Sequence, residues 1–231
     1  MFDKNFNEMQ AAKSINNLAN DIIFRAANDI ILDQVNILKD IFKMNFSRTL
    51  AINLYPQNIQ WINYVQTDRV TDEQDLIIAN LFLHHENDII AKIASYKARL
   101  AKGGAVLITL LGGRTLTELR QILEQTELEL SGGVSPRVIP MINLKDATSI
   151  MQAINFKQVI THSEVIRVEY DAFYQMLTHA KNIGQSNCLS RRNKKYVGRN
   201  FFGTAEQKAL GYFNGKKFSN TFEIICMTGI V

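Results

Sequence analysis

The chain has 231 residues, 46% of them hydrophobic and 21% charged, with a formal net charge of +4. That length suits one domain with insertions, or two small ones, and it can bury a core without disulfides or metals. Two cysteines, Cys188 and Cys226, occur without any CxxC or Cys/His ligand spacing, which argues against a disulfide framework or a structural zinc site and for a reducing compartment.

Met1–Phe6 carries Asp3 and no apolar stretch, Glu8 follows, and no apolar run reaches the about 18 residues of a membrane span, so a cytoplasmic location is expected. Residues 8–42 read as helical, because Ile15, Leu18, Ile22, Ile23, Ala26, Ile30 and Ile31 recur at three and four. A separate short helix is expected over Gln34–Phe42. Thr49–Leu54 reads as a strand, and Ile59–Val65 alternates apolar and polar residues as a second. Asp75–Leu81 is a continuous apolar run, as in a parallel strand covered on both faces. Asn87–Leu100 is an amphipathic helix stopped at Lys102-Gly103-Gly104, and Ala105–Leu110 is another buried strand before Gly112-Gly113.

Thr115–Leu130 reads as a helix, with Thr115 and Glu118 spaced as a capping box, and Ser131–Pro136 as a loop. A helix over Asn143–Ile154 has Asp146 in its first turn. Glu164–Tyr170 is a strand, Asp171–Asn182 a helix closed by Gly184, Tyr196–Phe213 a further helix and Thr221–Ile230 a last strand. Strands alternating with helices imply an α/β fold with a parallel sheet. The expected layout is a helical segment over 1–46 and an α/β domain over 47–231, with a lid insertion at about 115–155, compact as one domain.

Charge is unevenly placed. Residues 181–217 hold nine Lys/Arg and one acid, Glu206, for +8, which leaves −4 for the rest. This asymmetry points to an acidic partner, against the bland alternative of a solvated basic loop. Arg191-Arg192-Asn193-Lys194-Lys195-Tyr196, with Arg199 and Phe201-Phe202 after it, has the charge and aromatics of a nucleic-acid binder but no recognised module spacing.

Asp75–His84, Leu100–Ile108, Gly112–Arg120, Gly132-Gly133-Val134-Ser135-Pro136-Arg137 and Lys181–Cys188 together resemble the class I S-adenosylmethionine methyltransferases. The last three stretches resemble the group containing the malonyl-acyl-carrier-protein O-methyltransferase of biotin synthesis and the mitochondrial complex I assembly factor 5. Gly184-Gln185-Ser186-Asn187-Cys188 and Ser135-Pro136-Arg137 lean toward the assembly-factor side, and Phe2-Asp3-Lys4 also fits the group. The resemblance implies a Rossmann-like sheet, a methyl-donor cofactor and either an acyl-carrier-protein or a respiratory-subunit partner. In the assembly-factor relatives it implies arginine hydroxylation.

The family's first strand runs into a glycine-rich turn, where a Cβ would clash with the cofactor. This chain has Ala51-Ile52-Asn53-Leu54-Tyr55-Pro56-Gln57-Asn58 there, with no glycine. Only 20 residues lie between Leu54 and Asp75. By resemblance a helix, a strand and a second helix are missing, the segment around Trp61 is the family's third strand, and the sheet is trimmed in its first half. The expectation is therefore a methyltransferase-like protein without a bound cofactor. S-adenosylmethionine would sit at Asn53, Asn80, Leu81 and His84 if the family function is retained.

Several side chains remain as candidates. His84 and His85 form a pair without a third metal ligand at suitable spacing, so no metal is expected. Glu86 and Asp88 read as acids favoured by a helix N-terminus. Arg114, Arg120 and Arg137 flank the family's substrate region and could hold a carboxylate or phosphate, with Asn187 beside them. Arg120 could equally pair with Glu124 at i,i+4. Cys188 has no evident base for a nucleophile's role, and no catalytic residue is named. Arg191, Arg192, Lys194 and Lys195 are the candidates for docking an acidic protein. Loss of covering elements near Trp61, Ile62, Tyr64 and Val65 also raises the expectation of a structural homodimer.

Overall fold

The computed structural model describes residues 3, 21–52, 73–185, 187–190, 192 and 198–231, and the backbone of 64–65. Asn53–Asn58, Trp61, Ile62, Arg191, Lys194, Lys195 and the first part of the expected N-terminal helix lie outside the described residues.

Helix α1 spans Ile22–Asp40 and is capped by Asp21, whose side chain accepts from the Ile23 N–H at 2.9 Å. The expected separate helix over Gln34–Phe42 is a continuation of α1. Its buried stripe of Ile23, Ala27, Ile30, Ile31, Val35 and Leu38 runs straight through Gln34, and no glycine or proline interrupts it.

The strands are β1 (Thr49–Ile52), β2 (Tyr64–Val65), β3 (Gln74–Asn80), β4 (Leu100–Leu111), β5 (Gln158–Tyr170) and β6 (Phe218–Ile230). They form one sheet in the order β2-β1-β3-β4-β6-β5. The fold is α/β and Rossmann-like. β2, β1, β3 and β4 are parallel, and β6 runs antiparallel to β4, pairing Ala105 with Ile230 and Leu111 with Ile224. The sheet is therefore mixed, not wholly parallel. β6 is buried along nearly all its length, and such an apolar run reads the same in either direction. The described end of Ile59–Val65 pairs in parallel with β1 at the sheet edge, the place left beside β1 in a doubly wound order.

The chain divides into two compact units: 1–18, 114–140 and 165–222 form the first, and 19–113, 141–164 and 223–231 the second. Of the stretch expected as a lid, 115–140 belongs to the first and 141–155 to the second.

The second unit carries α1, α2 (Ile89–Lys97), α4 (Leu144–Ala153), β1–β4 and most of β6. One face of its sheet packs Ile77, Ala79, Val106 and Ile108 with Ile93, Tyr96 and Met151. The other packs Leu76, Ile78, Ala105 and Leu107 with Ile31, Val35 and Leu38 of α1. Alternate residues of each strand thus enter opposite cores, and each large aliphatic side chain contributes about 1.5–3 kcal/mol of burial. Gly229 is obligatory on the first face, because a Cβ there would lie 2.7 Å from both Met151 and Phe156. Helix α4 is capped as the sequence suggests, with Asn143 accepting from the Asp146 N–H at 2.8 Å.

The first unit carries α3 (Thr117–Ser131), α5 (Phe173–Asn182) and α6 (Arg199–Phe213). The expected capping box of Thr115 and Glu118 does not form. Leu116, at φ +57°, precedes α3 without a side-chain cap, and Thr115 is buried. Glu118 instead accepts from the Thr221 N–H at 2.9 Å and from its hydroxyl at 2.5 Å. A long-range partner has displaced the local one. Gly184 ends α5 at φ +78°.

Candidate functional site

In open α/β sheets, ligands bind at the carboxyl ends of the strands. In the second unit that edge holds Asn80, the last residue of β3, which is fully buried. Its amide donates to the Asn28 Oδ1 at 2.8 Å, and its carbonyl accepts from the Thr109 hydroxyl at 2.6 Å. The same hydroxyl accepts from the Leu81 N–H at 3.0 Å, and Leu81 takes φ +44° as the chain leaves the strand. Asn80 is thus held between α1 and β4. Asn28 and Thr109 were missed from the sequence, although Thr109 is a polar residue inside an apolar run and so carries a signal of a buried partner.

His84 and His85 follow in a 3-10 turn, Leu83–His85, with ring centroids 4.2 Å apart. Shielding of the rings holds His84 well below the usual histidine range, helped by the neighbouring His85. The same desolvation brings His85 down to about 4. Both are neutral at pH 7. Asp88 caps α2 by accepting from the Ala91 N–H at 2.9 Å, the helix-end role read for it. Asn53, expected alongside Asn80, Leu81 and His84, lies outside the described residues. Among the described residues no three His, Cys, Asp or Glu gather as a metal site.

The first unit contains a cleft of about 360 Å³ between α3, α5, α6 and Arg137–Val138. Arg137 and Asn187 both line it, and each spends its polar atoms on its surroundings. Arg137 donates to Glu127 at 2.7 and 3.3 Å, and its guanidinium lies 5.1 Å from the Phe201 ring centroid. Burial pushes the Glu127 carboxyl up, but hydrogen bonds from Arg137 and Ser135 outweigh it and leave the carboxyl below its ordinary value. Asn187 donates to the Pro136 carbonyl and accepts from the Leu189 N–H. Arg137 and Asn187 therefore hold the loop that forms one wall.

Arg114 and Arg120 do not line the cleft. Arg120 donates to the Thr115 carbonyl at 3.3 Å, where pairing with Glu124 was the alternative. Lys181, Tyr174, Phe201 and Phe202 line the cleft and were not assigned to it from the sequence. Arg192 pairs with Asp3 at 3.1 Å and donates to the Leu189 carbonyl at 3.0 Å. Its expected docking companions Arg191, Lys194 and Lys195 lie outside the described residues. The thiols of Cys188 and Cys226 are buried, and burial pushes the latter up to about 12. No described helix is long and apolar enough to cross a membrane.

No protein-family model matches the chain. The mitochondrial arginine-hydroxylase NDUFAF5 of Dictyostelium discoideum is 30% identical over 158 residues, covering 67% of this chain and 36% of that protein. A Rickettsia prowazekii protein provisionally named a methyltransferase, RP459, is 27% identical over 180 residues, covering 78% and 74%. A Bacillus halodurans structure, also provisionally named a methyltransferase, superposes with a TM-score of 0.50 at 12% identity, over 86% of this chain and 98% of that one, and so speaks to fold alone. The chain spans 34–48% of the length of the NDUFAF5 relatives it matches. By sequence the chain is similar to NDUFAF5 and to the malonyl-acyl-carrier-protein O-methyltransferases, and its fold is the Rossmann-like fold of the class I methyltransferases.

Proposed function

We propose that this chain is a methyltransferase-like protein that does not hold S-adenosylmethionine in the family's way and acts through an acidic protein partner, in the assembly or modification of a respiratory complex I subunit. The observation that carries the first half is the closed strand edge. Both polar ends of the Asn80 amide are engaged, by Asn28 and by Thr109, and a ligand would have to break those bonds to use it. The glycine-free run Ala51–Asn58 supports the same reading, because Tyr55 and Pro56 stand where the family brings bare backbone to the cofactor. The residues at this edge do not fit the cofactor. The second half draws on the NDUFAF5 relatives and on the +8 charge of residues 181–217.

Calorimetric titration with S-adenosylmethionine tests the first half. No saturable heat is expected at about 100 μM cofactor, equivalent to affinity weaker than about 5.5 kcal/mol. Saturable binding would move the function to a second reading, methyl transfer to an acyl-carrier-protein thioester, which similarity to the malonyl-acyl-carrier-protein O-methyltransferases favours. Co-purification tests the second half. An acidic respiratory subunit is expected, and recovery of the chain only with itself would point to a structural homodimer.

A further inference from the structure

We propose that the cleft of the first unit is a docking site for an acidic amphipathic segment of a partner protein. Its apolar side chains would seat between α3, α5 and α6, and its carboxylates would meet Lys181 and Arg199. This rests on the partner reading above and gives that partner's chemistry.

The floor of the cleft is apolar. Leu116, Leu119, Leu123, Val138, Ala180 and Phe201 line it and are each less than 9% exposed. The rim is also apolar but open, with Tyr174 73% exposed and Phe202 40% exposed. Aromatic side chains held at a surface are the usual anchors of protein interfaces, because they offer large contact area for few frozen torsions. The volume of about 360 Å³ lies at the lower end of the range for ligand pockets, about 300–1,000 Å³. A few large apolar side chains fill such a space.

The charge around it selects the partner's sign. Six cations of residues 181–217 are described: Lys181, Arg192, Arg199, Lys208, Lys216 and Lys217. Three are neutralised within the chain, Arg192 by Asp3, Lys208 by Glu129 and Lys217 by Asp171. Arg137, inside the cleft, is neutralised by Glu127. Lys181, Arg199 and Lys216 make no ion pair among the described residues, and the first two flank the cleft. Lys181 lines it from the last turn of α5, and Arg199 stands one turn before Phe202 on the same face of α6. A basic segment would be repelled by these charges. An acidic one completes them, and an apolar face fills the space between.

The test is fluorescence anisotropy on the full chain at low ionic strength. The probe is a labelled helical peptide of about 16 residues with Leu and Phe along one face and Glu on the other. Two control peptides carry Lys in place of Glu, or Ser in place of Leu and Phe. Saturable binding of the acidic apolar peptide alone is expected. It should weaken about tenfold in Lys181→Glu/Arg199→Glu and about tenfold in Tyr174→Ala, with loss on raising salt as screening requires. All three side chains are exposed, so an unchanged melting temperature will show that the variants fold. Equal binding of the Lys peptide, or indifference to the charge reversal, overturns the proposal. So does stoichiometric binding of dodecanoate or of phosphatidylglycerol vesicles where the peptide fails. Peptide binding without a co-purifying acidic protein supports the cleft and overturns only the respiratory-partner reading.

Discussion

In the second unit the polar side chains at the strand ends face one another, and in the first unit the cations beside the cleft face solvent. Asn28, Asn80 and Thr109 are joined by hydrogen bonds, so a buried amide finds partners within the chain. Inside the cleft Arg137 is matched by Glu127, whereas Lys181 and Arg199 beside it are exposed and make no ion pair among the described residues. Buried polar atoms must be paired in the folded chain itself, whereas exposed charges cost little to leave open and are free to serve a partner. The contrast locates stability in the strand edge and recognition in the cleft, and each of the following outcomes would sharpen or break it.

The largest expected effect is on acid stability, and it belongs to the second unit. His84 and His85 are held below the unfolded histidine value of about 6.5, so the folded state disfavours their protonation. Their contribution is complete above about pH 6.5 and is lost as pH falls toward about 4, the folded value of His85. Asp75 is held low chiefly by the Arg48 guanidinium, against some desolvation and with help from Ser47. Glu127 is also held low, and both carboxylates lose their contribution only below about pH 4, so the two windows separate. Urea melts between pH 7 and 4.5 should show a falling midpoint, flattened in His85→Phe. A flat wild-type profile would mean that these rings are as well solvated folded as unfolded.

Next comes Asn80→Ala, expected to destabilise by about 2–4 kcal/mol, because it strands the Asn28 carbonyl and the Thr109 hydroxyl in the core. A cycle with Asn28→Ala should be strongly non-additive, since the two share one bond. Additive losses would mean that the two side chains do not depend on that shared bond. Glu127→Gln should cost less, about 1–3 kcal/mol, by leaving the half-buried Arg137 without its anion. It should also loosen peptide binding in the cleft, measured by the same anisotropy. The smallest effect is that of Lys181→Glu on stability, within about 0.5 kcal/mol in a thermal melt. A larger loss would make Lys181 a structural residue and remove it from the recognition surface.

Local pattern carried most of the architecture. The apolar runs at Asp75–Leu81 and Ala105–Leu110 are strands buried on both faces, Asn143 caps α4, and Gly184 ends α5 in the left-handed region. These follow from side-chain period and backbone sterics within a few neighbouring residues, which is why the α/β class was legible in the sequence alone. The direction of β6 was not, because burial on both faces looks the same either way. The site was less legible still. Asn80 meets Asn28 across 52 residues and Thr109 across 29, and Glu118 finds Thr221 across 103. The sequence determined which residues would be buried and which stretches would be helix or strand. The tertiary structure decided which buried polar groups would meet, because such bonds depend on strand register and helix placement that no local spacing encodes.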